Sequence, residues 1–132
     1  MQTVMWAFQV LVALGLLNVW LLRFQHSTAY RGGNAHSMPE EFAVYGLPPW
    51  STYVVGALKV GAAISLIAGI WVPVLVLPAA MLVSVLMLGA LAMHLKVRDP
   101  LKKSAPALCI LVLCVVISWG SWDQVAGLLS RI

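Results

Sequence analysis

The sequence predicts an all-α fold: a transmembrane four-helix bundle with a short amphipathic helix in its first cytoplasmic loop. Three observations carry this. Of 132 residues, 62% are hydrophobic and only 9% are charged, whereas a soluble domain has about 25% charged residues. Such a chain cannot cover a soluble surface, and it has too much apolar surface to stay disordered. The apolar residues gather into four stretches of about 18–22 residues, enough at about 1.5 Å per residue to cross about 30 Å of hydrocarbon. The period-two alternation of a closed barrel is absent. At this length the chain is one domain, 1–132.

The first span covers about 4–22. No basic residues precede it and its apolar part is longer than that of a signal peptide, so it reads as a retained helix. The loop that follows opens with Tyr30-Arg31-Gly32-Gly33, a flexible turn. Ser37-Met38-Pro39-Glu40 then forms a capping box, with Ser37 as N-cap and Glu40 returning to its amide. A short helix runs through Phe42, Val44 and Tyr45, Gly46 ends it, and Pro48-Pro49 prevents continuation.

The second and third spans, about 53–71 and 74–95, are nearly continuous. Ile70-Trp71-Val72-Pro73 splits them, because an interfacial tryptophan followed by proline marks an end. Along the second span Ala57, Gly61, Ser65 and Gly69 make an i+4 row of small residues. Such a row lets helices approach closely, and it serves either packing within the bundle or homo-oligomerisation. Asp99-Pro100 reads as N-cap and first residue of the fourth helix, whose span is about 105–122.

The net charge is +4. The basic residues do not form a soluble face, which excludes nucleic acid as a partner; in a bilayer they set orientation and attract anionic headgroups. Arg23, Arg31, Lys96, Arg98, Lys102 and Lys103 fall on one side and Arg131 on the other. Loops 23–52 and 96–104 are therefore expected in the cytoplasm and both termini outside. The tryptophans agree: Trp20 and Trp50 fall at the cytoplasmic interface, and Trp6, Trp71, Trp119 and Trp122 at the outer one. The absence of a basic amphipathic leader argues against organelle import.

Lys59 is the most informative residue. It lies inside the second apolar run, about 14 Å along the axis from Trp50. A mid-membrane lysine costs about 2.5–3.5 kcal/mol on insertion scales, which makes it a functional hypothesis by default. Three readings are open: it snorkels to the interface, it pairs with Glu40 or Glu41 and clamps the loop helix onto the bundle, or it contacts a polar or anionic ligand head. His94, at the cytoplasmic end of the third span, is either a boundary residue or a donor to a quinone carbonyl or proton carrier. With Tyr30 and Tyr45, these two residues form the candidate ligand-binding set.

His26 and His36 share that side but lack metal-ligand spacing, so no metal site is expected. No span has a central histidine to hold haem. Cys109 and Cys114 lie about 140° apart on a helix, cannot bridge, and read as small buried hydrophobes. Ionisable groups thus concentrate at the cytoplasmic end, and any site opens there. A channel or pump would carry polar groups along both halves.

The motifs taken together resemble the DoxX-like family of small four-helix membrane proteins. The matching residues are Asn18-Val19-Trp20-Leu21, Tyr30-Arg31-Gly32-Gly33, Glu40-Glu41-Phe42 and Tyr45-Gly46-Leu47-Pro48, then Gly56-Ala57-Leu58-Lys59-Val60, Gly69-Ile70-Trp71-Val72-Pro73, Met93-His94-Leu95-Lys96 and Asp99-Pro100-Leu101-Lys102-Lys103-Ser104. Relatives of this group are linked to quinone-reducing complexes, redox-stress systems and, in animals, receptor assembly. The resemblance implies a bundle with quinone or lipid contact, in a bacterial-type plasma (inner) membrane, and carries over no catalytic set.

Two functions lead the expectations. One is a membrane subunit or anchor of a redox system, with no covalently bound cofactor and with electrons supplied by a partner. The other is a non-enzymatic assembly factor that contacts another membrane protein. A small-molecule transporter is a third: compact four-span exporters need a glutamate in the first span, where this chain has only Gln9 and Asn18. Thiol oxidation lacks the CxxC it requires.

Overall fold

The computed structural model describes residues 2–25 and 31–130. Helix α1 (Gln2–Leu17) runs into a π-helical segment (Asn18–Leu22). A loop with the short helix α2 (Met38–Val44) leads to α3 (Pro49–Ala68), a 3₁₀ turn (Pro73–Leu75), α4 (Val76–Lys96) and α5 (Leu101–Leu129). Among the described residues, four stretches are long and apolar enough to cross a membrane: Thr3–Leu22, Pro49–Ala68, Pro73–Lys96 and Leu101–Asp123. His26, Tyr30 and Arg131, which the sequence reading invoked, lie outside the described residues.

The bounds differ from expectation where prolines act. Helix α3 starts four residues before residue 53, because Pro49 occupies a first-turn position that has no use for an amide donor. It stops at Ala68, and Gly69 N–H closes onto Ser65 O at 2.8 Å. Trp71 and Val72 then lead into the 3₁₀ turn at Pro73 instead of continuing the span.

Helix α1 packs mainly on α3, α3 on α4, and α4 on α5. The main core joins Val12, Ala13 and Leu16 of α1 to Ala63 and Leu66 of α3, Ala80, Val83 and Met87 of α4, and Cys114 and Ile117 of α5. Small residues let the helices approach without any hydrophobic driving force from lipid. Outward-facing Leu11, Leu14, Ile64, Val85, Leu88 and Val112 are exposed on the flanks, as a bilayer requires. Gln9 is buried mid-span and its Nε2 donates to Leu66 O at 2.9 Å, which fixes α1 against α3.

The small-residue row on α3 is not the inward face. Ala57 and Gly61 are exposed, and a Cβ built on Gly61 meets nothing within 4 Å. With Ser65 they line a shallow groove of about 340 Å³ against Leu75, Pro78 and Leu82. Only Gly69 is closely packed, where an added Cβ would lie 2.3 Å from Val76 Cγ2. The face turned into the bundle is Thr52, Gly56, Lys59, Ala63 and Leu66. The reason is Trp20: its ring lies against Gly56, where a Cβ would come within 2.8 Å of Cε3, and this contact sets the rotation of α3.

Candidate functional site

The polar groups gather at the end of the bundle where the first loop and the 97–100 turn meet. Three local devices place them there. The first is the π-helical segment. Arg23 N–H bonds to Asn18 O at 3.0 Å, five residues back instead of four. This turns Trp20 inward, where it is buried with Met38 and Phe42. Its ring meets Phe42 edge-on at 6.0 Å.

The second device is the loop helix. Ser37 Oγ accepts from Glu40 N–H at 3.3 Å, as the capping box predicts. The reciprocal bond differs: Glu40 Oε2 accepts from His36 N–H at 2.6 Å, one residue before the cap. Gly46 ends α2 with φ +80°. The Leu47 N–H to Phe42 O and Gly46 N–H to Ala43 O bonds, both 3.0 Å, make a Schellman motif that needs a left-handed residue here.

Glu41 faces inward and gathers the loop. Its carboxylate accepts from Arg31 Nη1 at 3.1 Å, from Gly32 N–H at 3.0 Å and from Tyr45 Oη–H at 2.7 Å. Arg31, 3% exposed, also donates to the carbonyls of Arg23 and Phe24. The segment that reads as a flexible turn is thus pinned at Arg31 and Gly32. Burial, followed by the Glu41 carboxylate, pushes the Tyr45 phenol above its ordinary value, so it remains a neutral donor.

The third device is the end of α4. Asp99 N–H bonds to His94 O at 2.9 Å and Arg98 N–H to Leu95 O at 3.1 Å, a second Schellman motif. Its left-handed position is held by Arg98, φ 57°. The motif folds Asp99 back over His94, so that Oδ2 meets Nδ1 at 2.7 Å. Oδ1 accepts from Gly33 N–H at 3.0 Å and lies 3.8 Å from Lys103 Nζ. Lys103 donates to Gly33 O, and Lys96 Nζ to Tyr45 O at 2.8 Å. Burial raises the Asp99 carboxyl, but the bonds from His94 and Gly33 and the charge of Lys103 outweigh it and hold the group below its ordinary value. Asp99 therefore does not serve as the helix cap that its sequence position suggests; its carboxylate joins the two loops. Beside a carboxylate, His94 Nδ1 carries a proton, which leaves Nε2 as the other polar edge of the ring.

These devices surround a cavity of about 890 Å³ among α1, α2, α3, α4 and α5. Lys59, His94 and Tyr45 line it together, with Trp20, Arg31, Glu41 and Lys103. The Tyr45 and His94 rings meet edge-on at 5.9 Å. Leu16, Phe42, Met87, Met93, Pro106 and Ile110 supply apolar wall. Lys59 is 9% exposed, and its Nζ lies 5.3 Å from the centroid of the Trp20 ring, within cation–π range. Among the described residues its ammonium makes no hydrogen bond or salt bridge. The predicted clamp resolves differently for each acid. Glu41 fastens the loop through Arg31 rather than Lys59, and Glu40 remains at the surface as part of the cap.

Sequence reasoning missed Arg31, Trp20, Asp99 and Lys103 as parts of this constellation. For Arg31 a signal existed: a basic residue ten positions before an acid at the start of a short helix. No group of three or more His, Cys, Asp or Glu residues placed to hold a metal occurs among the described residues.

Comparison with known proteins gives one positive finding. The model of the DoxX-like family matches residues 7–117, which takes in the second and third spans whole, most of the first and fourth, and the whole cavity wall. No curated protein and no solved structure matches the chain significantly.

Proposed function

We propose, on the premise that this chain belongs to the DoxX-like family, that it is a small integral membrane protein holding a quinone or a lipid headgroup in the cavity around Lys59 and His94. In this reading it is a membrane subunit or anchor of a redox system. The single observation that carries it is the Lys59 ammonium, buried in a largely apolar cavity without a hydrogen-bonding partner among the described residues. An unpaired buried charge is costly, and a ligand oxygen offsets that cost. Ring carbonyls or headgroup oxygens accept from Lys59, and a quinol or headgroup hydroxyl donates to the outer nitrogen of His94. An apolar tail lies along Leu16, Met87 and Ile110. The cavity volume is in the range of small-molecule sites, about 300–1,000 Å³. Electrons come from a partner in this reading, in keeping with spans that carry neither a central histidine for haem nor a CxxC pair. The loop end is cytoplasmic by its basic residues, and the membrane is the plasma (inner) membrane.

Native mass spectrometry of gently extracted protein, with lipid extraction of the same sample, tests this. A stoichiometric quinone or lipid, lost in Lys59→Leu with helicity retained, supports the reading. Equal occupancy in wild type and variant removes Lys59 from the site.

A second reading is favoured by a different observation. The groove along Ala57, Gly61 and Ser65 is open on the lipid-facing flank, and small-residue grooves accept another helix. A non-enzymatic assembly role, with a membrane-protein partner or a second copy in the groove, predicts that Gly61→Leu disrupts a co-purifying complex more than Lys59→Leu does. A variant that leaves the complex intact refutes it.

A further inference from the structure

This inference rests on the reading that the cavity is a ligand site. We propose that its occupant is an amphiphile with an anionic head, a carboxylate or a phosphate monoester, seated on the Lys59 ammonium.

Among the described residues, the charges on and behind the cavity wall are paired at every buried group but one. Arg31 and Glu41 neutralise each other at 3.1 Å. Lys103 lies 3.8 Å from Asp99, whose other oxygen meets His94. Glu41 already accepts from Arg31, Gly32 and Tyr45, and Asp99 from Gly33 and His94. Glu41 on the wall and Asp99 behind it are therefore both engaged, and neither is in ion-pair contact with Lys59. The ring of Trp20 is the cation's near neighbour, at 5.3 Å. A π-face attracts the charge but accepts no full complement of hydrogen bonds from an ammonium with three donors. Arg23, the further cation on the wall, is exposed to solvent, so the buried positive charge left without a carboxylate is the Lys59 ammonium.

A neutral carbonyl answers one of the donors and leaves that charge uncompensated. An anion answers both needs, and in a desolvated wall the pairing is far stronger than in water. The preference is therefore for charge on the head, not simply for an acceptor. Leu16, Met87, Met93 and Ile110 supply apolar wall of the same cavity and take the apolar part.

The full chain is reconstituted in phosphatidylcholine nanodiscs and titrated by native mass spectrometry with three probes: oleate, a monoacyl glycerol phosphate with the same chain, and oleyl alcohol. A short-chain neutral quinone is a fourth. At least one anionic probe is expected to bind tenfold or more tighter than the alcohol and the quinone. Lys59→Met is expected to abolish that difference, and Lys59→Arg to keep it. The tighter of the two anions identifies the carboxylate or the phosphate as the head. Equal binding of the alcohol or quinone and the anions overturns the charge inference while the cavity reading stands. Discrimination that survives in Lys59→Met overturns the assignment to Lys59. No binding of any probe to protein of native helicity removes the cavity reading and this inference with it.

Discussion

Removing the Glu41 carboxylate should release the first loop while leaving the spans in place. Glu41 accepts from Arg31, Gly32 and Tyr45 at 3.1, 3.0 and 2.7 Å. In Glu41→Ala a guanidinium that is 3% exposed loses its counter-ion. Breaking a buried pair from one side costs about 3–5 kcal/mol. The Glu41 side chain is 11% exposed, which favours the lower end, about 3 kcal/mol. At about 1.4 kcal/mol per factor of ten, amide exchange over residues 37–47 should accelerate about a hundredfold. Glu41→Gln keeps an acceptor for Gly32 and Tyr45 but exchanges a charge-assisted bond for a neutral one. Its cost is about 1–2 kcal/mol, or roughly one decade. Arg31→Met combined with Glu41→Leu removes both charges and should recover much of the protection. Hydrogen exchange with mass spectrometry in nanodiscs reads all three. Acceleration below tenfold in Glu41→Ala, or a double variant as loose as the single one, refutes the claim that this pair holds the loop.

Three further outcomes are expected. The Asp99 carboxyl is held below its ordinary value of 3.8, so its tie to Gly33 and Lys103 is complete above that value. The tie is lost as pH falls through the depressed one. Protection of the Gly33 amide, corrected for intrinsic rate, should drop only in that acid window, and Asp99→Asn should flatten the profile. Arg98 sits at φ 57° where glycine is unstrained, so Arg98→Gly should leave thermal stability unchanged or raise it by up to about 1 kcal/mol; a clear loss would assign the side chain a structural role. A Cβ on Gly56 would lie 2.8 Å from the rigid Trp20 ring, so Gly56→Ala should cost about 1–3 kcal/mol. Gly61→Ala, facing open space, should change thermal unfolding little in comparison.

The spans were legible because hydropathy over about 20 residues is a sum that no single contact can reverse. The loop helix was legible because its signals are local: Ser37 and Glu40 at the start, and Gly46 at the stop. What escaped depends on contacts between distant elements or on an unexpected residue at a familiar position. Asp99 reaches His94 because a Schellman motif forms on Arg98, where a sequence reader looks for glycine or asparagine. Arg31 beside two glycines reads as mobile until Glu41, ten residues on, is seen to hold it. Lys59 stood out by itself, since a charge within an apolar run is visible without a structure. Its surroundings did not, because the π-helical segment places Trp20 by a rule that a 3.6-residue period does not contain. The sequence left the small-residue row between packing and oligomerisation for a related reason: composition identifies which residues permit close approach, not which face the neighbouring ring selects.

The five-residue hydrogen-bonded ring from Asn18 to Arg23 has a consequence for how this chain tolerates changes in length. Upstream of it, Val12 and Leu16 obey the spacing of an ordinary helix; beyond it, the helix has absorbed an extra residue. Deleting Val19 would let the segment wind as a plain α-helix. Trp20 would swing by about 100°, away from Gly56 and Lys59, while the upper part of the span stayed seated. Most substitutions along this stretch alter one surface of one side chain. A single-codon deletion would re-aim every side chain between the register shift and the loop, so the first span should be far less tolerant of indels here than near its other end.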